Sequence, residues 1–533
     1  MLRTTRRTFV HGSAAAAAGS LILPRRLRAQ GAGGTLRAVM HGDLRAFDPI
    51  WTTANITAYH GAMIYDTLFA LDESMTPQPQ MVGAWEVSDD RLTYTFQLRD
   101  GLAFSDGSPV TARDVVASIR RWAARDGGGQ HMMQRVSDLS AKDERTFVIQ
   151  LSEPYGLVID MMAKTSTPLL YIMREAEAET DPMEQVTTYI GSGPFTFNQD
   201  ETRQGAQYVY DKNPNYVPRQ EPASGLAGGK IAYMDRVIYE NIADSQTAMA
   251  ALQAGEIDFY ETPPLDLIEV LQMDPSLTVE VLNSTGNVGW LRLNFLHPPF
   301  DNVKARQAML YLLDQEEFMQ ATFGNPDYYR KCASNFACGT PMENDANTGW
   351  FNEAPNPERA RQLFEESGYD GRPVVVLHAT NIDFMNNSAQ IVAQRLREIG
   401  VNAELATSDW GGVVTRRSVQ DAPEQGGWNI FITWGGGASV GNPIALAGHA
   451  ANGTSGWFGW PSDELHEQLR NEWATAEGVE AQLEVARRIQ ENAWNFVPHV
   501  FLGQWVAPVA YRNNLQGVLK IPEIVPFWNI QRV

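Results

Sequence analysis

Nine histidines and two cysteines are the side chains of this 533-residue chain best suited to hold a metal or to serve as nucleophile and base. The histidines (His11, His41, His60, His131, His297, His378, His449, His466 and His499) are scattered, and no pair has the His-Glu-x-x-His spacing that sets two imidazoles on one helix face for zinc. Cys332 and Cys338 have no His, Asp or Glu between them to complete a metal site. In an exported chain, two such neighbours most simply form one local disulfide. Gly435-Gly436-Gly437 lacks the Gly-Lys-Ser/Thr that closes a phosphate loop. Gly191-Ser192-Gly193 runs into Pro194 and reads as a turn, not as a nucleophile elbow. No cofactor and no metal is therefore expected. Paired carboxylates working as a hydrolase stay open as an alternative, because 63 Asp and Glu are available and sequence spacing does not measure their separation.

The aromatic content is more informative. The chain has 14 tryptophans, several beside glycines: Trp290, Trp410, Trp428, Trp434, Trp457 and Trp460. Indole offers a flat apolar face and one N–H donor, which suits enclosure of an organic ligand, although packing within a core is the competing use. With 42 Lys and Arg against 63 Asp and Glu, the net charge of −21 argues against nucleic acid or an anionic membrane as the main partner. A chain 44% hydrophobic and 20% charged is neither disordered nor a disulfide mini-domain, and its length calls for two or three domains.

The elements that must position these residues begin after an address label. Arg6-Arg7 precede a short apolar run, Val10 to Leu23, and Ala29 follows as a plausible cleavage position. That run is too short for a bilayer of ~30 Å and fits a twin-arginine export signal over residues 1–29. No later stretch has 18 consecutive apolar residues, so the mature chain is expected outside the membrane, in the periplasm. Leu92 to Leu98 alternates with period two, as do Phe147, Ile149 and Leu151, predicting strands of an antiparallel region. Thr111 and Asp114 predict a capped helix over 111–124. Further on, strands alternate with helices. Gly255 closes a helix, Asn302 caps one with Ala305, Ala308, Met309 and Leu312 on one face, and a strand at 373–378 leads to a helix carrying Ala389, Val392, Ala393 and Leu396. This βαβ rhythm implies sheets with helices on both faces.

An ordered string of motifs then resembles one family. It runs through Tyr65-Asp66-Thr67-Leu68-Phe69, Trp85-Glu86-Val87-Ser88-Asp89-Asp90, Leu98-Arg99-Asp100-Gly101, Phe104-Ser105-Asp106-Gly107 and Pro109-Val110-Thr111-Ala112. Gly191-Ser192-Gly193-Pro194-Phe195, Asn213-Pro214-Asn215-Tyr216 and Ala254-Gly255-Glu256-Ile257-Asp258 continue it. The string is similar to the oligopeptide/dipeptide-type solute-binding proteins of bacterial ABC importers, over nearly all the mature chain. The resemblance implies a bilobal α/β periplasmic-binding-protein fold, type II-like, with an extra inserted domain and a hinge. Lobe I would comprise 30–66, 190–284 and 505–533, the insertion 67–189, and lobe II 285–504, with crossings near 283–286 and 504–507. It implies a monomer that captures a peptide-like or other organic solute by lobe closure, delivers it to the permease's transmembrane subunits, and performs no catalysis. A metal-chelate-binding relative, with His449 as an exposed ligand, and a hydrolase with paired acids in the interlobe cleft are the alternatives. Arg99, Asp100 and Asp106 would shape turns in the insertion.

Peptide-binding members carry a Trp followed by a short segment whose Asp holds the peptide ammonium, before a Pro. This chain reads Trp434-Gly435-Gly436-Gly437-Ala438-Ser439-Val440-Gly441-Asn442-Pro443, without an acid, and Ser439 falls where the acid would be. A buried ammonium without an anion costs several kcal/mol, so Ser439→Asp is expected to improve binding of free-amine peptides. Trp410, after Asp409, matches the family's other pocket tryptophan. The expected ligand contacts are Trp410, Trp434, Ser439 and Asn442.

Overall fold

A computed structural model describes residues 33–476 and 478–533. The export signal expected over 1–29 lies outside the described residues.

Two mixed sheets carry the chain. The first is seven-stranded, in the order Leu277–Val281, Pro508–Arg512, Phe259–Tyr260, Thr35–Val39, Arg236–Glu240, Gln207–Lys212, Phe195–Arg203. Thr35–Val39 lies at its centre and runs parallel to both Arg236–Glu240 and Phe259–Tyr260. The second is six-stranded: Tyr329–Arg330, His499–Trp505, Asn287–Leu293, Ile430–Gly436, Val374–Ala379, Ala403–Ser408. Its last three strands are parallel, as crossover helices require, and Val374–Ala379 is buried at every position because helices cover both faces. Asp383–Glu398 is one of those helices, and Val392, Ala393 and Leu396 on its inner side are buried.

Between residues 82 and 151 the chain forms a separate antiparallel sheet, Val82–Val87, Thr93–Leu98, Thr146–Leu151, Val136–Ala141. Tyr94, Phe96 and Leu98 alternate inward along Thr93–Leu98, and Phe96 stacks on Phe147 at 4.9 Å. The helix Ala112–Arg125 starts as its capping box requires: Asp114 Oδ2 accepts from the Thr111 N–H and hydroxyl, each at 2.7 Å. Asp106 accepts from the Ser108 N–H and hydroxyl, and Arg99 donates to the Gln80 carbonyl, so these polar residues close turns.

The seven-stranded and four-stranded sheets share one apolar core, and the six-stranded sheet has its own. The helix pair Glu464–Thr475 and Val479–Phe496 gives Leu469, Trp473 and Ile489 to the first core and Trp494 to the second. The two bodies are thus packed against each other, not merely strung together.

Two adjacent connections join the sheets. Val281 pairs with Pro508 in the first sheet, and six residues on Asn287 pairs with Trp505 in the second. Gln504 ties them: its Nε2 donates to the carbonyls of Thr285 (2.8 Å) and Cys338 (2.9 Å), and its Oε1 accepts from the Cys338 N–H (2.9 Å). Cys332 and Cys338 form a disulfide with Cα atoms 5.8 Å apart.

Candidate functional site

Parallel strands of one sheet end on the same side, and in open α/β sheets the crevice beyond their carboxyl ends is where ligands bind. His41 follows the end of Thr35–Val39, and Glu261 follows Phe259–Tyr260 directly alongside. In the other sheet, Trp410 follows Ala403–Ser408, while Ser439 and Asn442 follow Ile430–Gly436. The candidate residues of both bodies therefore occupy equivalent ends.

On the first body, Glu261 accepts from the His41 backbone N–H at 2.8 Å and lies 2.9 Å from His41 Nδ1. Burial alone would lower the His41 pKa, but the Glu261 charge and hydrogen bond together outweigh it and leave the pKa raised. Tyr59 packs edge-on to His41 with centroids 5.3 Å apart and feels the charge of Glu261. Burial, reinforced by the charge of Glu261 and then by Glu523, pushes the Tyr59 hydroxyl well above its ordinary value, so it stays a donor. Tyr239, 2% exposed, lies beside the same group, and its Oη has no hydrogen-bond partner.

The second body meets this cluster through Glu523. Its Oε1 accepts from the Ser439 N–H at 2.8 Å, and its Oε2 accepts from the Ser439 hydroxyl at 2.5 Å and the Thr165 hydroxyl at 3.0 Å. Three distant stretches of chain converge on one carboxylate. The backbone comes close here: a Cβ on Gly436 would lie 2.1 Å from Glu523 Oε1. Sequence reasoning finds the loop at 434–443 lacking an acid, and the fold brings an acid to Ser439 from 84 residues away. No spacing rule could find Glu523, Thr165 or Glu261, since their proximity exists only after the sheets assemble. Nearby, the Ser166 hydroxyl donates to the Ala445 carbonyl at 2.8 Å.

Trp410 opens the helix Trp410–Arg416, capped by Asp409, and its ring lies 5.4 Å from the Arg417 guanidinium carbon. Arg417 is packed among Trp410, Phe431, Trp457 and Phe458, and burial lowers its pKa to about 10. Trp434 is partly exposed, faces Gly289 across the sheet, and lies edge-on to Trp505 at 6.4 Å. Asn442 Oδ1 accepts from the N–H groups of Ile444 and Ala445, both at 2.9 Å, and so holds the turn that carries the loop. Trp290, Trp428 and Trp460 are core residues.

His449 is not the exposed ligand expected of a metal-chelate binder. It is 3% exposed, its Nε2 donates to the Val440 carbonyl at 2.8 Å, and burial lowers its pKa to about 3. Among the described residues, no group of three His, Cys, Asp or Glu is placed to hold a metal ion, and no helix is long and apolar enough to cross a membrane.

Two α/β bodies joined by paired strand connections, with their strand ends converging on one polar cluster, define a bilobal binding protein. The profile of bacterial extracellular solute-binding proteins, family 5, matches residues 76–456, and the chain belongs to this family. It is 49% identical, over 97% of each chain, to a probable peptide ABC transporter periplasmic-binding protein of Sinorhizobium fredii. Among solved structures it resembles the peptide-bound periplasmic binding protein DppA of Helicobacter pylori, with a TM-score of 0.78 and 20% identity, covering 94% of this chain and 98% of that one. An agropinic-acid-bound periplasmic binding protein of A. tumefaciens R10 gives the same TM-score and identity over 94% and 99%. These likenesses establish the periplasmic-binding-protein fold. The chain is thus an extracellular solute-binding protein of family 5.

Proposed function

We propose that the protein captures a peptide-type solute between its two bodies, closes over it, and hands it unaltered to the permease. The observation that carries this reading is the junction of Ser439, Glu523 and Thr165, where closure brings polar groups of separate segments onto one point. The name of the S. fredii relative supports the peptide class. The lobes take the boundaries 30–66, 190–284 and 505–533 for lobe I, 67–189 for the insertion and 285–504 for lobe II, and the connections at 283–286 and 504–507 act as the hinge. An open form binds solute on one lobe, and contacts from the other shift the equilibrium toward closure. Each ~1.4 kcal/mol of added closed-state contact deepens affinity tenfold.

Trp410, Trp434, Ser439 and Asn442 supply lobe II's contacts: two indole faces, a loop tied to lobe I, and an amide nitrogen beside it. Trp434→Ala is expected to weaken binding of the solute that co-purifies from periplasm by about 1–3 kcal/mol. Unchanged affinity in calorimetry would assign Trp434 to packing alone. Incubation with a peptide mixture separates transport binding from hydrolysis, since stoichiometric recovery of intact peptide supports capture and accumulating fragments refute it. The Arg6-Arg7 pair supports export by the twin-arginine route. Replacing both with lysine is expected to retain the protein in the cytoplasm on fractionation, and normal export of that variant would point to another route.

A further inference from the structure

Glu523 is a carboxylate with only neutral partners. Its hydrogen bonds come from the Ser439 N–H and the hydroxyls of Ser439 and Thr165, and no ion pair forms at it among the described residues. A second carboxylate, Glu261, is 8% exposed and shares the neighbourhood through Tyr59, which experiences the charge of both acids. One imidazole, His41, pairs with Glu261, and none pairs with Glu523 among the described residues. The Tyr239 hydroxyl, which feels the charge of Glu261, is buried and has no hydrogen-bond partner. Charges held away from water call for opposite charge. The Arg417 and Arg292 guanidiniums, also buried, sit instead among aromatic rings and carbonyls of the other body.

We infer that the imported solute carries a positively charged nitrogen, an ammonium or a guanidinium, and that Glu523, from the C-terminal segment, is the acid that receives it. Glu261 lies behind as a second negative charge, and the Tyr59 and Tyr239 hydroxyls add neutral polar contacts. Oε1 of Glu523 accepts one hydrogen bond, from Ser439, and a carboxylate oxygen can take another. A cation placed there would bond an acid already tied to Ser439 on one side and Thr165 on the other, so that solute charge and closure reinforce each other. This inference rests on the reading that solute is held between the two bodies.

The test is calorimetry with trialanine and N-acetyl-trialanine on the wild-type protein and on Glu523→Gln, and then with putrescine, agmatine and spermidine on both. The wild type is expected to prefer the free amine by at least about 30-fold, and Glu523→Gln to level the pair to within about threefold. The wild-type comparison stands even if the variant folds poorly, which thermal melting would reveal. Equal binding of both peptides by the wild type overturns the cation inference while leaving the peptide reading in place. Binding of the amines but of neither peptide, with loss in Glu523→Gln, removes the peptide reading and supports this one. Full amine affinity in a folded Glu523→Gln, or a wild type that takes neither panel, overturns it.

Discussion

Ser439 grips the Glu523 carboxylate with its N–H and its hydroxyl together, which requires a neutral donor at that position. The expectation that Ser439→Asp would help free-amine peptides therefore reverses. An aspartate there would set a second carboxylate against the first, and like charges at a few ångströms cannot both stay ionised without cost. At partial exposure the repulsion is on the order of 2 kcal/mol, so the affinity of the co-purified solute should fall roughly 10- to 100-fold. Combining Ser439→Asp with Glu523→Gln removes the clash and is expected to recover part of that loss in calorimetry. A single variant that binds free-amine peptides more tightly would show that Glu523 does not face position 439 in solution. The loop's missing acid was legible from the order of residues around Trp434 and Pro443. Its replacement was not, because it belongs to a segment with no periodic pattern, flanked by Pro522 and held at a positive φ of 70°.

At the scale of elements, the paired connections between the sheets are the part most sensitive to backbone detail. Gly286 has φ 64°, and a Cβ there would lie 2.1 Å from the Trp505 carbonyl oxygen on the other connection. Neither obstacle can be relieved by a side-chain rotation, so Gly286→Ala should force the two connections apart. It is expected to destabilise the protein by about 2 kcal/mol or more, read as a lower urea midpoint, and to alter solute affinity in parallel. An unchanged midpoint would mean that the connections are not tightly apposed. Local elements were readable wherever a short-range rule decides them. Gly255 ends Ser245–Ala254 with φ 74°, Asn302 accepts from Lys304 N–H at the start of Val303–Leu312, and the period-two run near residue 95 is a strand. Edges slipped where pairing decides them. The strand expected over 373–378 runs from Val374 to Ala379, because its ends are set by its pairing with Ala403–Ser408. The interleaving of strands from both ends of the chain in one sheet depends on such long-range pairing and leaves no trace in any window of sequence.

The molecule as a whole buries an unusual set of neutral imidazoles, and this fixes how it responds to acid. Burial lowers the pKa of His60, His449 and His466 to about 3, and that of His499 well below its ordinary value. Burial, helped by the charge of Arg135, lowers His131 to about 4. In the unfolded chain these groups titrate near 6.5, so between that value and their folded values the unfolded state binds more protons. Their contribution is therefore intact above about pH 6.5, shrinks as the pH falls toward 4, and is fully lost below the folded values. Each group costs about 2 kcal/mol at pH 5. His41 acts oppositely: its raised pKa adds stability below 6.5 that disappears as the pH rises through the raised value, and one such group offsets only part of the other five. Urea unfolding should accordingly show a steep loss of stability between pH 7 and pH 5, with several protons taken up. His131 also joins the two bodies, since its Nε2 lies 2.8 Å from Asn471 Oδ1. His131→Gln can keep a donor to Asn471 while removing the titration, so it should lower proton uptake at pH 5 by close to one. A stability that stays level from pH 7 to pH 5 would contradict the burial of these imidazoles in neutral form, and with it the packing of the helix pair across both cores.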